Sequence, residues 1–308
     1  MAVHRFSPDQ WHNVLAALPA ALKVADGDVI ITQTIDAAGV DKDGISRTHG
    51  PNPMNGPIHV DGAMPGDVLQ VDILRISPIR PDGWTRGALA GNVVDPERVR
   101  DLPPRDRIEW NIDLDVGTVR LRDDVPGLEH LVLPLEPMIG CFGVAPAGGE
   151  AISTATSASN GGNMDYRGFG PGARVWFPVF EPGALFFLGD CHAIQGDGEI
   201  VGTGVETAME VEIRLSVLKN RHQAWPRGET AETIYTLGNA RPLDQALQHA
   251  TTEMFDWLTG DEYGLSAVAA SHLMGQLVRY DVGNVFDPAF TMVCHMPKKY
   301  LPKSLRPR

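Results

Sequence analysis

Residues 207–217 alternate without a break. Thr207, Met209, Val211, Ile213, Leu215 and Val217 fall on one face; Ala208, Glu210, Glu212, Arg214 and Ser216 fall on the other. A period of two is that of a strand with one buried and one solvated side. Elsewhere, short apolar runs follow turn signals. Asp26-Gly27-Asp28 precedes the run at 29–31, Pro65-Gly66-Asp67 that at 68–74, Pro171-Gly172-Ala173 that at 174–176, and Pro182-Gly183-Ala184 that at 185–188. Pro presets φ at the first central position of a type II turn, and Gly accepts positive φ at the second. Each signal therefore predicts a turn that launches a strand. The repetition fits two related β lobes, and equally a β protein in which such turns are common.

Residues 75–136 are less regular and rich in charge and proline. They predict long loops around Pro81-Asp82-Gly83-Trp84 and Pro103-Pro104. After about residue 228 the period changes. Leu243, Ala246, Leu247, Ala250, Met254 and Leu258 recur at helical spacing. Residues 265–278 predict a second helix, with Ser266 as N-cap and Leu273, Met274 and Leu277 on an apolar stripe. Thr291 to Cys294 predicts a last strand. The expected fold is mostly β (α+β), a single domain over 1–308. Two β-rich lobes, at about 1–137 and 138–308, form a sandwich- or barrel-like body, and helices at about 243–258 and 265–278 form a C-terminal pair.

The formal net charge of −13 argues against nucleic acid or an anionic membrane as the main partner, since both reward clustered Lys and Arg. Lys298-Lys299 and the Lys303…Arg306…Arg308 stretch are too short to change this and read as a solvated tail. Cys141, Cys191 and Cys294 are odd in number and widely spaced, so no disulfide framework or Cys-x-x-Cys zinc site is visible and the cytoplasm is the expected compartment. No signal peptide and no apolar run of membrane-spanning length is expected.

The densest chemistry lies at 189–206. An apolar run, 184–188, ends in Asp190 and His192, whose i, i+2 spacing projects both from one face of a strand. A Gly-Asp-Gly turn follows, then Glu199. A carboxylate, an imidazole and a second carboxylate nearby suit metal-assisted hydrolysis. For an isolated Asp-x-His, a turn-closing Asp and a hydrogen-bonded core His are the default reading.

A wider set of motifs changes that balance. These are Thr34-Ile35-Asp36-Ala37; Asn55-Gly56-Pro57-Ile58-His59-Val60-Asp61-Gly62-Ala63 with Pro65-Gly66-Asp67; and Met138-Ile139-Gly140-Cys141-Phe142-Gly143-Val144-Ala145-Pro146. Further along come Gly161-Gly162-Asn163-Met164-Asp165, Pro178-Val179-Phe180, Gly189-Asp190-x-His192-Ala193-x-Gln195-Gly196-Asp197-Gly198-Glu199, Glu206 and Tyr263-Gly264-Leu265-Ser266. In this combination the chain resembles the acetamidase/formamidase family over most of its length. The resemblance implies hydrolysis of short amides to a carboxylate and ammonia, a β-rich fold, dependence on a divalent metal (zinc) and homo-oligomeric assembly. A small-molecule amide is the implied partner.

Within the resemblance, Asp190 and His192 are the first choice as metal ligands. Asp36 is the third candidate, at the end of an apolar strand over 29–35, although an Asp there also closes a turn with Ala37-Ala38-Gly39. Glu199 and Glu206 compete for the general base. Glu199 is preferred because a Gly-Asp-Gly turn holds it near Asp190. Glu206 is in phase with Glu210 and Glu212, which reads as a solvated face, but Gly202 and Gly204 interrupt that phase; it stands as second choice or further ligand. Asn163, with Gly162 and Asp165, follows a glycine pair and can form an oxyanion or substrate-carbonyl site, against an ordinary loop. Gln195 carries the same two readings. His49 and His59 are additional metal candidates.

Three alternatives remain open. One is a hydrolase of a cyclic amide or imide on the same scaffold. Another is a Cys-nucleophile amidase using Cys141 or Cys191, for which no partner lysine is identifiable. The last is a non-catalytic small-molecule-binding β protein.

Overall fold

The four turn signals act as their chemistry requires. Gly27, Gly66, Gly172 and Gly183 sit at φ of 84°, 90°, 88° and 81°, and the strands Val29–Gln33, Val68–Pro78, Arg174–Pro178 and Phe186–His192 follow them. The structure is a computed structural model that describes residues 1–305; Arg306 and Arg308 of the expected solvated tail lie outside the described residues.

The alternating segment is the strand Met209–Leu218. It buries Met209, Val211, Ile213 and Leu215 and leaves Glu210, Glu212 and Arg214 partly exposed. It pairs antiparallel with Val29–Gln33 on one side and Val68–Pro78 on the other, inside a nine-stranded sheet. A second, six-stranded sheet has Met138–Val144, Phe186–His192 and Met54–Val60 side by side. The first two of these are buried along their whole length. Phe142 and Phe186 of this sheet meet Phe177 of the large one, with Phe142 and Phe177 edge to face at 5.2 Å. Side chains of both sheets thus share one apolar core.

The fold is mostly β with a C-terminal helical pair. Helix α1, Leu243–Thr259, buries Ala246, Ala250, Met254, Trp257 and Leu258. Helix α2, Ala267–Leu277, is capped by Ser266, whose Oγ accepts from the Ala269 N–H at 3.1 Å. The last strand runs over Phe290–Pro297. Among the described residues, no helix is long and apolar enough to cross a membrane.

Two expectations need correction. The proposed lobes at about 1–137 and 138–308 do not correspond to the sheets. Val29–Gln33 and Met209–Leu218 are neighbours in one sheet, and Met54–Val60 and Phe186–His192 are neighbours in the other. The segment around Pro81-Asp82-Gly83-Trp84 is no loop but leads into a strand, Asp82–Arg86, of a four-stranded sheet with Arg107–Asp113, Thr118–Leu121 and Leu133–Pro134. Burial of Gly83, Trp84 and Thr85 overrides the local turn signals. Backbone bonds in both directions between Trp84 and Glu206, at 2.9 and 3.1 Å, tie this strand to the site.

The parallel edge strand Val3–Phe6 is held by Asp28, which accepts from the Ala2 N–H at 2.6 Å and contacts His4 Nε2 at 2.8 Å. The Ala2 bond first, then His4, hold its carboxyl down to about 2. A carboxyl depressed in the folded state stabilises above its unfolded value of about 4 and loses that contribution as pH falls through the folded one. Thermal melts should therefore show Asp28→Asn below the parent protein at pH 5, with the gap closing as pH falls through 2. A gap that stays constant would contradict this role.

Candidate active site

The strand Phe186–His192 carries Asp190 and His192 into the interior, where they are 2% and 0% exposed. Room for them is made by two glycines. A Cβ on Gly140 would lie 2.5 Å from Asp165 Oδ1 and 3.0 Å from His192 Cε1; one on Gly204 would lie 2.5 Å from His192 Cγ. Three acidic residues adopt the left-handed backbone that glycine favours: Asp165 at φ 45°, Asp190 at 50° and Glu199 at 47°. Non-glycine residues held there are strained, and such strain concentrates at functional sites.

Gln195 fixes the chemistry of the imidazole. Its Nε2 donates to the Asp165 carbonyl at 2.5 Å and lies 3.4 Å from that of Gly283, so its Oε1 is the atom that faces His192 Nδ1 at 2.8 Å. An amide oxygen only accepts, which places a proton on Nδ1 and makes Nε2 the nitrogen that faces the carboxylates. Nε2 lies 3.1 Å from Glu206 Oε1 and 3.5 Å from Asp190 Oδ1. These are ion-pair contacts, and four buried atoms here make no hydrogen bond: His192 Nε2, Asp190 Oδ1, Asp165 Oδ1 and Glu206 Oε2. Ligand atoms of Asp165, Asp190 and His192 lie within 4.8 Å of one another, as do those of His192, Glu199 and Glu206.

Opposite, two amides organise the remaining carboxylates. Asn284 Nδ2 lies 2.8 Å from Asp165 Oδ2, 2.8 Å from Glu199 Oε2 and 3.0 Å from Asp287 Oδ2. Asn163 Nδ2 donates to Asp287 Oδ2 at 2.5 Å, while its Oδ1 accepts from Asn52. Burial raises the Asp165 carboxyl well above the usual range, with the charges of Asp287 and Asp190 adding to it. Burial does the same to Glu199, with Asp165 adding. Burial and Asp190 raise Glu206 against the pull of His192, and burial raises Asp287 against its bond from Asn163. Burial opposes the His192 imidazolium, but Glu206 and Asp190 outweigh it and its value goes up. Five carboxyls so placed cannot all be ionised around one imidazole without protons or a cation.

The structure thus brings Asp190, His192, Glu199, Glu206, Asp165 and Asn163 together. Asp36 is a correction. Its Oδ1 accepts from Ala38 and Val40, and its Oδ2 from Arg80 and Trp84, so all its lone-pair directions are taken and it acts as the turn-closing Asp. Gln195 stands behind His192 rather than facing a substrate. Gly162 is buried within the sheet, where a Cβ would meet the Thr156 carbonyl at 2.5 Å. His59 lies next to Asp61, and His49 is exposed. Burial pushes the Cys141 thiol well up and that of Cys191 to about 12, far from a nucleophilic thiolate. Asn284 and Asp287 were not anticipated. Their only signal is the Asn-x-x-Asp spacing, in which Asn284 Oδ1 accepts from the N–H groups of Phe286 and Asp287.

A cavity of about 440 Å³ opens onto Asp190, Glu199, Glu206, Asn163 and Asp287, walled by Trp84 and Phe286. Fold and site together define a β-sheet protein with a buried, carboxylate-rich, single-histidine centre. Residues 135–259, which hold most of that centre, match the Acetamidase/Formamidase family. The solved acetamidase from Yersinia enterocolitica is 32% identical, covers 98% of this chain and 93% of its own, and superposes with a TM-score of 0.85. That of Bacillus halodurans is 29% identical, with 96% and 98% covered and a TM-score of 0.82. The acetamidase of Mycolicibacterium smegmatis is 28% identical over 62% of this chain, and the match spans 59% of that protein's length. The chain belongs to the acetamidase/formamidase family.

The role of Gln195 is testable apart from any reaction. In Gln195→Leu the imidazole loses its orienting acceptor, and if the cluster holds a divalent metal, affinity for added zinc measured by competition with a chromophoric chelator should fall ~10- to 100-fold. Unchanged affinity would remove Gln195 from the site.

Proposed function

We propose that this protein hydrolyses the C–N bond of a short linear amide to a carboxylate and ammonia, using a divalent metal, zinc in the first place. The observation that carries the reading is a cluster of four buried ligand-type atoms that make no hydrogen bond, one each from Asp165, Asp190, His192 and Glu206. Buried polar atoms without a hydrogen bond call for an explanation, and four from metal-ligating side chains in one place fit a cation. Asp190 and His192 would hold the ion, with Asp165 and Glu206 as the further donors. A bound ion of this type lowers the pKa of water to about 7 and polarises a carbonyl.

The chain's own groups supply the rest. Glu199 lines the cavity and is held by Asn284, and we assign its carboxylate as the general base. It takes a proton from the attacking water and returns it to the departing nitrogen. Burial raises its pKa, so it holds the proton between the two steps better than an ordinary carboxylate would. Asn163 commits one amide hydrogen to Asp287 and keeps the second for the substrate carbonyl. Trp84 and Phe286 wall the cavity beside these groups. The relatives named acetamidase support an acyclic amide as substrate.

Two variants separate the roles. His192→Ala should lose both bound metal, counted by plasma emission, and ammonia release from acetamide. Glu199→Gln should retain the metal while kcat falls ~10²- to 10⁴-fold. A metal-free protein that is fully active and is inactivated by thiol alkylation would overturn the reading.

A further inference from the structure

The cavity that reaches the carboxylates also has a cationic rim. Arg86 and Arg105 line it together with Glu199, Glu206 and Asp190. Among the described residues neither guanidinium forms an ion pair, in a chain with 39 acidic residues against 26 basic ones. Arg105 is nonetheless held in place. Its Nη1 donates to the Ala88 carbonyl at 3.2 Å and its Nη2 to that of Val201 at 2.6 Å. Its guanidinium carbon lies 5.0 Å from the centre of the Phe286 ring. Arg86 ends the strand that carries Trp84, with its guanidinium carbon 5.7 Å from that ring, and its backbone N–H is bound by Thr203 Oγ1. The charge of Arg86 adds to burial in lowering Arg105, so the two cations repel across the rim.

Two like charges placed together without a counter-ion cost free energy, and an anionic ligand removes that cost. The size of the cavity points the same way. About 440 Å³ is in the range of sites for ligands much larger than acetamide, ~300–1,000 Å³. The cavity is thus polarised, with carboxylates at the floor and guanidiniums at the mouth. We infer that the preferred substrate is a short amide carrying a carboxylate at its far end, the monoamide of a dicarboxylic acid, with the amide at the floor and the carboxylate on Arg86 and Arg105. Water adds to the amide carbon, the C–N bond breaks, and the products are a dicarboxylate and ammonium.

This substrate class rests on the amidase reading, and the experiment keeps the two apart. The metal-loaded protein is assayed for ammonia release on malonamate, succinamate and glutaramate, and on uncharged amides of matching length. At least one anionic amide should exceed its neutral counterpart in kcat/KM by about ten- to a hundredfold, as expected for charge-assisted hydrogen bonds. The ratio should shrink with added salt, because both arginines are exposed. In Arg86→Gln/Arg105→Gln it should fall to near one, mainly through KM. A ratio of one or less at every chain length, with amides still hydrolysed, would overturn the anion site and leave the amidase reading intact. If no amide is hydrolysed, the amidase reading fails. Calorimetry with succinamate then decides the anion site: binding lost in the double variant upholds it, and no binding to the parent protein overturns it.

Discussion

Everything around the site depends on one electrostatic constraint: five carboxyl groups and a single imidazole share a space almost closed to water. Asp165, Asp190, Glu199, Glu206 and Asp287 are each at most 8% exposed, and His192 is fully buried. Uncompensated, such a cluster of charges would cost far more than a folded chain can spare. The structure meets part of the demand with neutral donors. Asn284 and Asn163 supply hydrogen bonds to Asp165, Glu199 and Asp287. On the other side, Gln195 turns the imidazole so that Nε2 faces Asp190 and Glu206. The atoms without a hydrogen bond face that side, Asp165 contributing one oxygen to each, so the amides divide the cluster into a hydrogen-bonded part and a part whose donors could hold a cation.

The sheets exist in this arrangement to hold that division. His192 comes from the middle of the six-stranded sheet. Glu206 is joined by backbone pairing to both His192 and Trp84, which links that sheet to the four-stranded one. Asn284 ends the strand Arg279–Asn284 of the large sheet, and Asp287 lies in its connection to Phe290–Pro297. No single element contains the site. Gly140 and Gly204 flank the imidazole where any side chain would collide with it, so the packing of the strands and the position of the ring are one requirement.

What could be read from the residues follows from how local each signal is. The strand at 209–218, the four Pro-Gly or Asp-Gly turns and the Ser266 cap are written in neighbouring residues, and the structure has them all. Asp190, His192 and Glu199 stand within ten residues, and their convergence was legible too. Asp36 misled because an Asp after an apolar strand looks the same as a ligand or as a turn residue. Only the bonds from Arg80 and Trp84, more than forty positions away, decide it. Glu206 was obscured for the opposite reason. Its phase matches the solvated Glu210 and Glu212, but its pairing with Trp84 takes it inward. Asn284 and Asp287 carry no periodic signal, and the division of strands between sheets depends on pairings that span the chain.

The central claim is that the unpaired half of the cluster is a cation site and that the carboxyls there hold protons in its absence. Zinc titration of chelator-stripped protein at pH 7, in two buffers of different ionisation enthalpy, counts the protons displaced, and a melt before and after loading gives the change in Tm. The account predicts tight binding with release of at least one proton and a rise in Tm. Stripped protein that binds no zinc, displaces no proton and melts at the same temperature would contradict it.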